Sequence, residues 1–246
     1  MAAAKYMIVL ANSARTKNKF CVAGKIATRV DDKNFDIQPQ WIRLTNPDGD
    51  EGAVPYAKTI CPGRGQIQPL DIIQVELRDP CNNPDHPEDW YYEPSRPWQV
   101  ISRANTSCLR SIVDTPLQLW HDGQQASSVQ AGFVRTMTPQ ASSIYLISAP
   151  PKMDFCFWKK SVSDSNNPGQ MKTKYVRDLS FNYAGTYHEF SVTDPKFMKR
   201  HDIWNRMTDM PQLMRIQDAA NYFLCLSLGL EFLGRHYKIG ATIFEP

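Results

Sequence analysis

Apolar positions along this chain gather in short runs separated by turn-forming residues, a spacing that suits strands better than long helices. Residues 6–10 (YMIVL) form a continuous apolar run of the length of a buried strand. Residues 20–27 (FCVAGKIA) read as its partner, with Gly24 where a bulge or bend would sit in a barrel strand. Residues 41–44 (WIRL) predict a third strand, stopped by the turn 46–49 (NPDG). After the turn 62–65 (PGRG), residues 70–77 (LDIIQVEL) alternate Ile73, Val75 and Leu77 against Gln74 and Glu76, as a half-buried strand does. The Pro-rich excursion 80–87 (PCNNPDHP) cannot be helix interior, and 98–101 (WQVI) closes the segment.

The character changes near residue 106. Residues 107–113 predict a helical turn, 117–123 (LQLWHDG) an irregular connector and 124–128 a linker-like stretch, so the chain divides into 1–126 and 127–246. Beyond it, 131–134 (AGFV), 143–147 and 155–158 (FCFW) read as short strands. Residues 174–183 and 186–192 flank Ala184-Gly185, a tight hairpin. Thr193-Asp194-Pro195 predicts a helix start, with Thr193 or Asp194 as cap, Pro195 at the first helical position and a short helix over 196–207. Residues 220–230 and 236–244 supply two final strands. The prediction is a mostly β chain of two units of similar size, the second with a short helix.

Composition narrows this picture. With 42% hydrophobic and 22% charged residues the chain is ordinary globular material, and 18 Pro with 11% aromatics favour short strands and turns over a helical bundle. No apolar run reaches the roughly 18–20 residues of a membrane span, and the apolar stretch 7–11 is shorter than the ~7–15 residues of a secretory signal core. The expected location is the cytoplasm. Six cysteines agree with it: Cys21, Cys156 and Cys225 lie in strand-like runs, and Cys61, Cys81 and Cys108 lie in loops without the close pairing of a zinc ribbon. No metal and no cofactor is expected.

Charge adds a sharper feature. Between residues 5 and 29 the charged side chains are Lys5, Arg15, Lys17, Lys19, Lys25 and Arg29, with no carboxylate among them. Such a one-signed field implies an anionic partner or an internal one that the local sequence does not display.

Residues 10–25 (LANSARTKNKFCVAGK), WIRLTN at 41–46, LDIIQVEL and DHPEDW resemble the first half of the dual OB domain family of bacteria. LQLWHDG resembles its linker. RDLSFNYAGTYHEFSVTDP, FLCLSLGLEF and HYKIGATI resemble its second half, so the similarity runs from residue 5 to residue 243. Leu44 stands where the family pattern would put Pro, and 58–68 (KTICPGRGQIQ) is idiosyncratic. The resemblance implies two tandem OB-like β-barrels, nucleic-acid recognition and an association with prokaryotic defence against mobile elements.

An OB fold is a five-stranded barrel whose face and loops bind oligonucleotides, and single-strand binding needs cations for phosphates and aromatic platforms for bases. The first half holds Arg15, Lys17, Lys19, Arg29 and Arg43 beside Trp41, Trp90, Tyr91, Tyr92 and Trp98. Arg15, Lys17 and Lys19 read either as a phosphate clamp or as a solvated hairpin loop, and the family resemblance includes Ser13 and Arg15. Trp41 and Arg43 share a strand face, with Trp41 read as core. His86-Pro-Glu-Asp-Trp90 gathers an imidazole and carboxylates without an evident nucleophile or metal partner, and reads as a fixed structural loop. Lys238 either meets a phosphate or pairs internally with Asp194. No Walker loop, Rossmann glycine pattern, HExxH or GxSxG is present.

The expectation is therefore a non-catalytic nucleic-acid-binding or sensing protein of a defence system, its partners a single-stranded or altered nucleic acid and an effector protein. The candidate binding residues are Ser13, Arg15, Lys17, Lys19, Arg29, Arg43, Trp90 and Lys238. The alternatives are a sensor of a small nucleotide in the cleft between the barrels, a protein-binding adaptor, and an enzyme built around His86.

Overall fold

The apolar run at 6–10 lies inside a long strand, β1 (Ala3–Thr16), in the computed structural model, which describes residues 3–16, 18–31, 34–48, 53–137, 142–164, 167 and 169–246. β1 pairs antiparallel with β2 (Lys19–Arg29), and β2 with β3 (Phe35–Thr45). β4 (Val54–Pro55) adds to β2, and β5 (Ile60–Cys61) and β6 (Gly65–Gln66) form a small ribbon. Three strands complete the first half: β7 (Asp71–Pro80), β8 (Asp89–Tyr92) and β9 (Gln99–Arg103). β8 runs parallel to β3 and antiparallel to β7, while β7 returns to β1. The ring β1-β2-β3-β8-β7 closes on itself, which leaves its strands without free edges.

Inside this barrel lie Met7, Val9, Val22, Ile42, Leu44, Ile73, Val75, Leu77 and Trp98. Ile8 and Leu10 point the other way and are equally buried, which is why 6–10 is apolar at every position and does not alternate. The register slip expected at Gly24 falls instead on β1, between Val9 and Ala11, opposite it. Gly24 serves a close approach: a Cβ there would sit 1.8 Å from the carbonyl oxygen of Ile8. β8 went unpredicted, because a four-residue strand straight after a Pro-rich loop shows no period.

The connector holds α1 (Leu109–Ile112), as the helical turn predicted at 107–113 requires. The strand expected at 131–134 is α2 (Phe133–Thr136), entered through Gly132 at φ 80°. The remaining strands are β10 (Ser128–Gln130), β11 (Ile144–Ser148), β12 (Met153–Ser163), β13 (Met171–Tyr183), β14 (Thr186–Val192), β15 (Gln212–Ile216), β16 (Phe223–Phe232) and β17 (Arg235–Phe244). β12-β13-β14 meander, β17 runs parallel to β14, and β16 lies beside β17, repeating the strand order of the first barrel. Among the described residues this second ring is open, since β12 pairs outward with β15 and β16 with β11.

Ala184 (φ 48°) and Gly185 (φ 82°) are both left-handed, making the tight hairpin the sequence predicts. α3 (Pro195–Arg200) begins with Asp194 as cap, its Oδ1 accepting the N–H groups of Lys196 at 2.8 Å and Phe197 at 3.2 Å. The helix expected over 196–207 is broken at Asp202 (φ 52°), and α4 (Ile203–Arg206) follows. Phe197, Met198 and Ile203 of these helices join Phe155, Phe157, Leu179, Phe190 and Leu224 in the second core.

A third cluster joins the two halves. Ile8, Leu10, Ala23 and Trp41, on the outer face of β1–β3, pack with Ile144, Leu146, Phe223, Cys225 and Phe244, and α1 adds Leu109 and Ile112. Among the described residues no helix is long and apolar enough to cross a membrane.

Candidate functional site

The outer face of β2–β3 is where an OB barrel commonly meets an oligonucleotide. Here the second half covers it. Lys25, 1% exposed, donates from Nζ to Asp114 Oδ1 at 2.6 Å and to the carbonyl of Ile112 at 2.7 Å. Asp114 Oδ2 also accepts Trp41 Nε1–H at 3.0 Å and the backbone N–H of Leu146 at 2.8 Å. Trp41 is thus core, as predicted, and Lys25 Nζ stands 5.3 Å from its ring centroid.

Arg43 is buried in the same seam. Its Nε donates to Asp89 Oδ1 at 2.6 Å, and its Nη atoms reach Ser143 Oγ at 3.2 Å, the carbonyl of Leu228 at 3.3 Å, Ser227 Oγ at 3.4 Å and Glu88 Oε1 at 3.5 Å. Burial pulls the pKa of Arg43 down, but Asp89 and Glu88 outweigh it and hold the guanidinium charged. Ser143 donates to Glu88 Oε1, so His86 Nδ1 must be the donor in its 2.8 Å contact with Ser143 Oγ. Burial, then the charge of Arg43, pushes the His86 pKa far down, so this imidazole stays neutral. His86 packs edge-on against His236 at 5.2 Å, and Asp85 takes two hydrogen bonds from Arg135, at 2.6 and 2.9 Å. The 85–89 loop is a clasp between the halves, in keeping with its reading as structural.

The other candidates scatter. Lys238 is 1% exposed and donates to the carbonyl of Ala126 at 2.7 Å and to His188 Nδ1 at 3.1 Å, away from any open phosphate surface. It does not pair with Asp194, whose Oδ2 accepts the N–H of Ile243. Ser13 is buried on the wall of a cavity of about 340 Å³ between the halves, which Arg43 also lines. Trp90 is half-buried against the first core, Lys19 is half-buried, and Arg29 is exposed with Nε donating to the carbonyl of Asp31 at 3.1 Å. Lys17 and the side chain of Arg15 lie outside the described residues. Among the described members of the set, no single open surface collects them.

A different surface pairs cations with exposed rings. From 155 to 177 the chain carries Lys159, Lys160, Lys172, Lys174 and Arg177, with Asp164 inside the run and Asp154 and Asp178 flanking it; strand alternation puts Lys159 and Arg177 on the face of Tyr175 and Lys160, Lys172 and Lys174 on the other. The β12–β13 ladder sets Phe157 opposite Arg177 and Lys159 opposite Tyr175. α4 then lays Trp204 over this face: its ring meets Tyr175 edge-on at 5.6 Å and Arg177 Cζ at 5.4 Å, while Arg206 Cζ lies 5.3 Å from the Phe157 ring. Tyr175 and Trp204 are 48% and 49% exposed, so each keeps part of its ring open to solvent. The sequence signal was the charge run at 159–177; Trp204 is far away in sequence and only the fold brings it there.

A comparison with curated proteins finds no match to this chain. A family model described as "Dual OB-containing domain" (DuOB) matches residues 5–243, nearly the whole length. With a closed barrel of OB strand order followed by a second sheet in the same order, and with that match, the chain belongs to the dual OB-containing domain family.

Proposed function

We propose that this protein binds single-stranded nucleic acid through the basic, aromatic face of β12, β13 and α4, as a recognition module that leaves chemistry to another protein. The observation that carries the reading is the pair of half-exposed rings, Tyr175 and Trp204, set among Lys159, Arg177 and Arg206. Bases stack on exposed aromatic faces, cations neutralise the phosphates between them, and neither interaction demands a particular base. The β2–β3 face of the first barrel is a poor alternative, because Lys25, Trp41 and Arg43 are already committed to the second half. The defence context that the family resemblance implies belongs to the same reading: such a module would report a foreign or altered strand to an effector.

Fluorescence anisotropy with short labelled DNA and RNA strands at low salt is the test. Binding that weakens steeply with salt and is lost on the double substitution Tyr175→Ala, Trp204→Ala supports the reading. Absence of binding, or binding indifferent to that substitution, rejects it.

A further inference from the structure

We infer that the cavity between the two halves is a second binding site, for an uncharged nucleobase, free or as its nucleoside. The cavity holds about 340 Å³, at the lower end of the ~300–1,000 Å³ common for small-ligand sites. Its walls come from both halves: β1, β2, β3 and β8 on one side, β16 and β17 on the other. An occupant would therefore contact both barrels.

The chemistry of the wall selects against phosphate. Among the described residues that line it, Arg43 is the one cation, and its donors are spent on Asp89, Ser143, Ser227 and the Leu228 carbonyl, with Glu88 beside it. Among the described residues, one guanidinium against two carboxylates leaves no positive charge for an anion, and drawing Arg43 away would strand both buried carboxylates. The remaining wall is largely apolar, with a few neutral polar residues: Ser13, Thr45, Asn83, Tyr91, Thr193 and Ser227. A flat apolar body with donors and acceptors on its edge fits that lining, and amide and hydroxyl side chains are groups that read a base edge. This site is separate from the Tyr175–Trp204 face, so either can fail alone.

The cavity also contains two reporters, Cys21 and Cys81, whereas Cys156 sits on β12 away from it. Alkylation of the full chain by iodoacetamide, followed by mass spectrometry, can be run with each of the four ribonucleosides and with the matching 5′-monophosphates. The expected result is that at least one nucleoside slows modification of Cys21 and Cys81 roughly tenfold, leaves Cys156 unchanged, and acts at a concentration roughly tenfold below that of its monophosphate. Protection by no nucleoside, equal protection by the monophosphate, or equal slowing at Cys156 would each overturn the inference. Ala14→Trp, at an exposed position on the cavity rim, should abolish the thermal stabilisation that the same nucleoside gives the unaltered chain. Retained stabilisation overturns it too, and if the variant does not fold, the cysteine protection decides.

Discussion

Lys25 of the first barrel and Asp114 of the connector form an ion pair, Nζ to Oδ1 at 2.6 Å, beneath the second half of the molecule. The lysine side chain is 2% exposed and the carboxylate 18%, so the pair is held largely away from water. The same carboxylate receives Trp41 and the N–H of Leu146, tying three segments to one side chain.

Removing Asp114 should therefore cost far more than removing a surface acid. Asp114→Ala leaves the Lys25 ammonium buried with the Ile112 carbonyl and the Trp41 ring but no counter-charge from Asp114, a loss of about 3–5 kcal/mol. Urea denaturation of the two proteins measures it, and a loss below about 1 kcal/mol would place the pair among weak surface bridges.

The Tyr175–Trp204 face predicts an affinity effect without a comparable stability effect. Replacing each exposed ring by Ala should weaken single-strand binding by about 1–3 kcal/mol, and each Lys159→Gln or Arg206→Gln change that loses a phosphate contact should flatten the log–log salt slope by about 0.7. Titrations at several salt concentrations, with melting curves alongside, separate the two quantities.

Gly24→Ala should be severely destabilising. The added Cβ meets the Ile8 carbonyl at 1.8 Å, and that oxygen belongs to the β1 backbone, which cannot swing aside as a side-chain tip would. Strain above the usual ~1–3 kcal/mol of overpacking is expected, read as a lowered melting temperature or a failure to fold. A melting curve unchanged from wild type would contradict the close approach.

Stability should also fall on acidification below the ordinary imidazole range. Burial, then the charge of Lys238, lowers the His188 pKa to about 3, and burial lowers that of His86 further. Between pH 6.5 and 3 the unfolded chain binds protons that folded His188 refuses, so folding stability is full above 6.5 and is lost as pH drops through this window. At the alkaline end the slope keeps the same sign. Burial brings Lys238 down to about 8, so above that value the folded chain sheds a proton that the unfolded chain keeps to about 10.5, and this residue adds stability as pH rises. Denaturation curves of His188→Gln and Lys238→Met against pH should be flatter in the acidic and alkaline windows respectively.

Much of the fold was legible from local pattern. The inward alternation of Ile73, Val75 and Leu77, the Asp194 cap and the Ala184-Gly185 hairpin each follow from backbone geometry that a few neighbouring residues decide. β8 and β15 were missed because their short segments carry no period and exist only through the long-range partners β3, β7 and β12. Of the one-signed charge of residues 5–29, Lys25 finds its counter-charge inside the protein, 89 residues distant.

What the sequence alone determined is which side of each strand is apolar and where the chain turns. Whether the other side meets water or a second sheet was decided by tertiary structure. Lys25, Arg43 and Lys238 have the chemistry of phosphate ligands in any one-dimensional reading, yet each is buried against partners from distant segments. Tyr175 and Trp204 become a surface only when α4 folds onto β13. A charge or a ring takes its meaning from the groups within a few ångströms of it, and in a β protein those neighbours come from across the chain.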